Sequence, residues 1–175
     1  MTQQGKLSSA TKEFLQSLII ALILALIIRT FFFQFFYIPS RSMESTLLIN
    51  DRIIVTKFSY WFNEPQRGDV VVFKYPLNPS TLYVKRVIAL PGENIKLKDS
   101  KLYINDTLVS EPYLPDDLKF EDFGPVEVPE GEYFMMGDNR NNSSDSRTWG
   151  FVKKDLILGK SQVIYWPFDR LGRIE

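Results

Sequence analysis

Hydrophobic positions divide this chain into two unlike parts. From Phe14 the sequence turns apolar, and Leu18–Ile28 is an unbroken run of Leu, Ile and Ala. A membrane-crossing helix needs about 20 residues, and the stretch from Ala10 to Arg29 reaches that length. Lys12 and Arg29 then stand at opposite interfaces, where long basic side chains reach back to water. No small-x-small cleavage pattern follows the apolar core. Arg29-Thr30-Phe31-Phe32-Phe33 follows instead, so the pattern predicts an uncleaved span and not a removed leader. Met1–Thr11 is polar and expected to be mobile. The expected division is a tail over residues 1–13, an anchor over 14–30 and a domain over 31–175.

Beyond the anchor the period changes to that of strands. Phe31–Tyr37 holds six aromatics in seven residues, broken only by Gln34. Aromatics gather at the membrane–water boundary and also favour strands, which predicts a first strand resting on the bilayer surface. Ile53–Val55 is a short apolar run. Gly68-Asp69 opens Val70–Phe73, whose unbroken apolarity predicts a strand buried on both faces. Leu82–Leu90 follows, closed by Pro91-Gly92. Asn94–Lys98 and Lys101–Asn105 flank Asp99-Ser100, a hairpin turn. Pro112–Pro125 is acidic and proline-containing and reads as an excursion over the surface. Val126–Val128, Glu132–Met136 and Leu156–Trp166 complete the strands. No segment after the anchor has a long helical period or an internal repeat. The predicted fold is mainly β, an antiparallel β sandwich or partly open barrel behind one N-terminal transmembrane helix.

Composition narrows the chemistry. The 175 residues include 21 basic and 21 acidic ones with no basic run, which argues against a nucleic-acid partner. Without cysteine there is no disulfide, thiolate zinc site or cysteine nucleophile. Histidine is absent too, which removes Ser-His-Asp catalysis and nearly every transition-metal site. A hydrolase with this composition must take its base from Lys, Asp, Glu or Tyr.

Three stretches carry candidate chemistry. In Tyr37–Asn50, Pro39 restricts Ile38 to an extended conformation, and Ser40 and Ser42 follow with one residue between them. In an extended chain those hydroxyls point the same way. Taken alone, Ser-x-Ser is a polar turn. In Tyr83-Val84-Lys85-Arg86-Val87-Ile88, both cations have apolar neighbours. On a central strand, burial would favour a neutral Lys85, while Arg86 would stay charged and need a carboxylate. On an edge strand the lysine would simply reach into water. Gly137–Arg147 is dense in Asn, Asp and Ser with interleaved Arg. Arg140 at the third position and the lack of a glycine at the sixth argue against a calcium loop. A rigid, self-bonded loop fits better.

Together these stretches resemble the type I signal peptidases. The resemblance rests on Pro39-Ser40-x-Ser42-Met43-x-x-Thr46-Leu47, Gly68-Asp69-Val70-Val71, Tyr83-Val84-Lys85-Arg86 with Pro91-Gly92, and Gly137-Asp138-Asn139-Arg140 through Asn142-Ser143-x-Asp145-Ser146-Arg147. It covers the chain from about Phe14 to the end. It implies a membrane-bound serine endopeptidase that cleaves signal peptides from exported preproteins after small residues. Its β domain would face away from the cytoplasm, at the cell membrane or a thylakoid membrane. Charge alone does not orient the anchor, since Lys6 and Lys12 on one side match Arg29 and Arg41 on the other.

By match to the family's motifs, Ser42 would be the nucleophile and Lys85 the general base. Ser40 would join the Ser42 N–H in an oxyanion hole. Ser143 would bond the lysine amine, and Asp145 and Arg147 would form a supporting salt bridge. Asp138 and Arg140 would brace the same loop. Ile38, Pro39, Met43, Leu47, Tyr83 and Val84 would line a shallow pocket for small side chains. The implied partners are preproteins and the lipid bilayer, with no metal or organic cofactor. Two positions depart from the family's usual pattern: Ser45 stands for a proline, and Asn141 for an aspartate. Two other readings use the same residues. A self-cleaving repressor-type peptidase would lack the Leu18–Ile28 anchor, and a membrane-anchored binding module would hold a peptide without cutting it.

Overall fold

In this computed structural model the backbone is described for residues 3–174 and the side chains for residues 10–174. A single helix, α1, runs from Gln3 to Phe31. The polar segment expected to be mobile is therefore helical from Gln3 onward. No proline interrupts the chain before Pro39, so nothing ends the helix where its composition turns from polar to apolar. Met1 and Thr2, also assigned to that segment, lie outside the described residues. Ala10–Phe31 is long and apolar enough to cross a membrane, and none of it is buried against the domain.

α1 leads into β1 (Phe33–Tyr37), as the aromatic run predicts. β2 (Arg52–Thr56), β3 (Val70–Tyr75) and β4 (Asn78–Ala89) follow. Next come β5 (Asn94–Lys98), β6 (Lys101–Ile104), β7 (Thr107–Val109), β8 (Phe123–Glu127) and β9 (Glu132–Met136). A one-turn helix α2 (Ser146–Trp149) precedes β10 (Val152–Lys153), β11 (Ile157–Trp166) and β12 (Gly172–Arg173). The strands form two antiparallel sheets. The larger has the order β1-β2-β11-β3-β4-β9-β10 with β12 added to β11, and the smaller the order β7-β6-β5-β8.

Asp99 and Ser100 both adopt positive φ, the conformation a two-residue hairpin turn requires. Asn105 and Asp106 do the same and join β6 to β7, a second hairpin that sequence reading missed. β8 begins at Phe123, inside the predicted surface excursion, so only residues 110–122 form a loop.

Three apolar clusters hold the sheets. Ile88, Phe134 and Met136 pack with Ile95, Leu97 and Leu102 of the small sheet. Ile38, Met43 and Leu47 pack on Ile53, Val55, Val70 and Val72. Val71, Phe73, Val87 and Met135 form the third cluster. β3 contributes alternate residues to two of these clusters, so it is buried on both faces as expected. β4 lies between β3 and β9, which puts both of its cations inside. Lys85 is 4% exposed and Arg86 1%.

Arg86 finds its carboxylate 52 residues away. Its Nε donates to Asp138 Oδ1 at 2.9 Å and its Nη2 to Asp138 Oδ2 at 2.7 Å. The Thr46 hydroxyl donates to the same carboxylate at 2.5 Å, and the Gly68 carbonyl accepts from Arg86 Nη1 at 2.8 Å. Removing one partner of such a buried pair strands the other charge, at a cost of about 3–5 kcal/mol. Asp138→Ala is therefore expected to destabilise the detergent-solubilised chain by about that amount, read from its denaturant midpoint. A loss below about 1 kcal/mol, typical of an exposed pair, would show that the pair is not desolvated as described.

Candidate active site

The site forms where three segments meet: the turn after β1, the middle of β4 and the loop after β9. The chain leaves β1 at Tyr37 and folds into a compact turn closed by Glu44 N–H to Arg41 O at 2.9 Å and Leu47 N–H to Met43 O at 2.8 Å. This is a turn and not the extended segment from which the Ser40 and Ser42 hydroxyls were expected to align. They still face each other, with Oγ atoms 3.5 Å apart. The turn is fixed from beneath. Buried Met43 and Leu47 anchor it in the core. Arg170, near the far end of the chain, pairs with Asp51 and donates to the Thr46 carbonyl at 3.2 Å.

Lys85 reaches this turn from β4, and its Nζ lies 2.5 Å from Ser42 Oγ. Burial pushes the Lys85 amine down to about 8, while Asp145 and Asp138 pull weakly the other way. At pH 7.4 an amine at that value is neutral in about one molecule in five, against about one in a thousand for an ordinary lysine. A neutral amine accepts the hydroxyl proton, so the Ser42–Lys85 pair can generate a nucleophile without histidine.

The loop after β9 closes the third side. Gly137 lies against the turn that carries Ser42 so tightly that a Cβ there would sit 2.2 Å from the Ser42 carbonyl oxygen and 2.3 Å from Ser143 Oγ. Only glycine permits that approach. The Asn139 backbone N–H donates to Ser42 O at 3.2 Å, and its side chain donates to Arg41 O at 3.1 Å. The expected Asp145–Arg147 salt bridge is present: Arg147 Nε and Nη2 each donate to the buried carboxylate at 2.8 Å. Asp145 also caps α2 and accepts from the Gly137 N–H at 3.2 Å.

Two expected placements differ. Ser143 does not bond the lysine amine: its buried Oγ has no hydrogen-bond partner and rests against Gly137. Asp138 and Arg140 do hold the loop, through partners outside it: Asp138 takes Arg86, and Arg140 takes Glu111. The second difference is in the groove. Leu47 is fully buried in the core and is absent from the groove wall.

The other expected lining residues come together. Ile38, Pro39, Met43, Tyr83 and Val84 surround Ser40, Ser42 and Lys85 in an open groove of about 550 Å³. Phe36, Tyr37, Arg41, Val72, Thr81, Leu82, Asn142 and Ser144 complete its walls. Sequence reading missed these eight. Val72 and Val84 are register partners on neighbouring strands, a relation that only strand pairing reveals.

Comparison with known proteins shows the family. Residues 11–166 match the family described as "Signal peptidase, peptidase S26". The chain is 43% identical over 162 residues to a probable signal peptidase I-2 of Synechocystis sp., covering 90% of this chain and 74% of that one. It is 41% identical over 173 residues to signal peptidase I of Bacillus licheniformis, covering 93% and 92% of the two chains. Among solved structures, signal peptidase I from Enterococcus faecalis V583 superposes with a TM-score of 0.50 at 37% identity, over 56% of this chain and 97% of that one. The chain thus belongs to the signal peptidase family, peptidase S26, and is a serine endopeptidase of the signal peptidase I type with an N-terminal helix fit to anchor it in a membrane.

Proposed function

We propose that this protein cleaves N-terminal signal peptides from exported preproteins after small residues, with Ser42 as nucleophile and neutral Lys85 as general base. The observation that carries this reading is the 2.5 Å approach of a buried lysine amine to Ser42 Oγ in a chain without histidine. The neutral amine takes the Ser42 proton as Oγ attacks the scissile carbonyl carbon. The resulting ammonium returns that proton to the leaving amine, which leaves an ester on Ser42. Lys85 then deprotonates the water that attacks the ester and returns that proton to Ser42 Oγ as it leaves, which restores the free hydroxyl and the neutral amine. The Ser40 hydroxyl and the Ser42 N–H stabilise the oxyanion in both halves. Asp145 and Arg147 hold the loop that carries Gly137 against the nucleophile turn. Ser143 stays beside that contact as support for the dyad.

Substrate delivery follows from the path of the chain. β1 starts two residues after α1 and spans roughly 16 Å. Ser42 follows it closely, so cleavage occurs near the bilayer surface, where an apolar signal segment would emerge. Phe31, Phe35 and Tyr37 are exposed along this path, and an aromatic face at the interface suits a domain resting on lipid. We place the domain on the non-cytoplasmic side of the cell membrane, or of a thylakoid membrane. The groove is open and lined by Ile38, Met43, Tyr83 and Val84. Such shallow walls favour small side chains before the cut.

Four outcomes test this function on purified preprotein. Ser42→Ala and Lys85→Arg are each expected to abolish cleavage, since arginine keeps the charge but cannot act as a base. Parental activity should rise with pH and reach half its plateau near pH 8, because the active amine forms as pH passes the lowered value. Substantial cleavage by Lys85→Arg would show that Lys85 is only a binding cation. Ser40→Ala should cost about 10²–10³-fold in kcat, as for one lost oxyanion donor; unchanged turnover would make Ser40 a turn residue. Gly137→Ala should lower kcat by about 10²-fold through displacement of Ser42, and parental kcat would contradict the close contact.

A further inference from the structure

The loop between β7 and β8 makes contacts that a simple connector does not need. Connecting loops run exposed over the surface, yet this one inserts a carboxylate into the interior. Glu111 takes both ends of the Arg140 guanidinium, accepting from Nη1 at 3.0 Å and Nη2 at 2.5 Å. The Arg140 side chain is fully buried and that of Glu111 nearly so. Two residues on, Tyr113 donates its hydroxyl to Glu111 Oε1 at 2.6 Å and lays its ring 3.7 Å from the Arg86 guanidinium carbon. The Tyr113 carbonyl accepts from Ser45 Oγ at 3.0 Å, and the Lys119 carbonyl accepts from Asn141 Nδ2 at 2.7 Å. Ser45 has φ +89°, a backbone value closed to proline. Both departures from the family's usual pattern therefore hold this one loop.

We propose that Glu111, with Tyr113, is a positioning element for peptide cleavage, a strap that fixes the spacing of Ser42 and Lys85 through Arg140 and Arg86. This rests on the Ser42–Lys85 reading above. On one side, Arg140 Nε donates to Gly137 O at 3.2 Å, and Arg140 O accepts from Arg147 at 2.6 Å. Gly137 is the residue pressed against the Ser42 carbonyl, so a displacement of Arg140 is passed to the nucleophile. On the other side, Tyr113 caps Arg86, the neighbour of Lys85 on β4. Glu111 and Tyr113 stand outside the groove wall, so the strap acts on the alignment of the reacting atoms and not on substrate binding.

The test is steady-state cleavage of a purified preprotein by the full chain in detergent, with folded fraction measured by circular dichroism. Glu111→Asp keeps the charge of the buried pair but shortens its reach by one methylene. It should lower kcat per folded molecule about 10–100-fold, with KM within about twofold of the parent, since only alignment is lost. Tyr113→Phe removes only the hydroxyl bond to Glu111 and should cost about two- to tenfold in kcat. It also decides the matter if Glu111→Asp fails to fold. Parental kcat per folded molecule, or a raised KM with unchanged kcat, would overturn the proposal. Ser42→Ala is assayed alongside. If it still cleaves, the dyad reading fails and the strap has nothing to align. If it is inactive while Tyr113→Phe and folded Glu111→Asp match the parent, the strap alone fails.

Discussion

Two adjacent cations on one central strand impose opposite demands on the same interior. In the proposed reaction Lys85 must lose its proton to act as a base, and Arg86 cannot lose its own. Burial serves the first need directly, since desolvation lowers the lysine amine. It would be ruinous for the second without compensation. The structure resolves this by supplying Asp138 to Arg86, whereas Lys85 Nζ meets the Ser42 hydroxyl and the Tyr83 ring and, among the described residues, forms no salt bridge. A carboxylate shared between the two would hold the lysine charged. Much of the local architecture exists to keep that partition.

The partition also explains why the loop after β9 is so heavily cross-linked. It carries Asp138 to Arg86 and Asp145 to Arg147, and it presses Gly137 against Ser42. Each ion pair is buried or nearly so, where breaking it costs far more than at the surface. Such pairs add little net stability over an apolar core, but their geometry is specific. In the proposed dyad, Ser42 and Lys85 must meet within hydrogen-bond distance, which calls for that specificity more than for stability.

The anchor and the site are joined by a short path along the chain. α1, β1 and the Ser42 turn are consecutive, so the anchor helix and the position of Ser42 are set by one segment of about 40 residues. β11 passes between β2 and β3, and Arg170 beyond it ties down Thr46 and Asp51. The two ends of the domain thus meet under Ser42.

What the sequence determined was whatever short-range physics encodes. The apolar run from Leu18 to Ile28 fixed the helix, the Val70–Phe73 run fixed a doubly buried strand, and Asp99-Ser100 fixed a hairpin. The absence of histidine left Lys, Asp, Glu or Tyr to serve as a base, and the resemblance of the ordered motifs singled out Ser42 and Lys85. Tertiary structure decided the partners. Nothing local joins Arg86 to Asp138, or Arg140 to Glu111 across 29 residues, because a salt bridge depends on where strands pair and not on spacing along the chain. For the same reason Leu47 turned out to be core rather than groove wall, Ser143 was left without the lysine as partner, and the Glu111 side chain turned inward to Arg140. Periodicity shows which face of a strand is apolar; only the assembled sheets decide what that face meets.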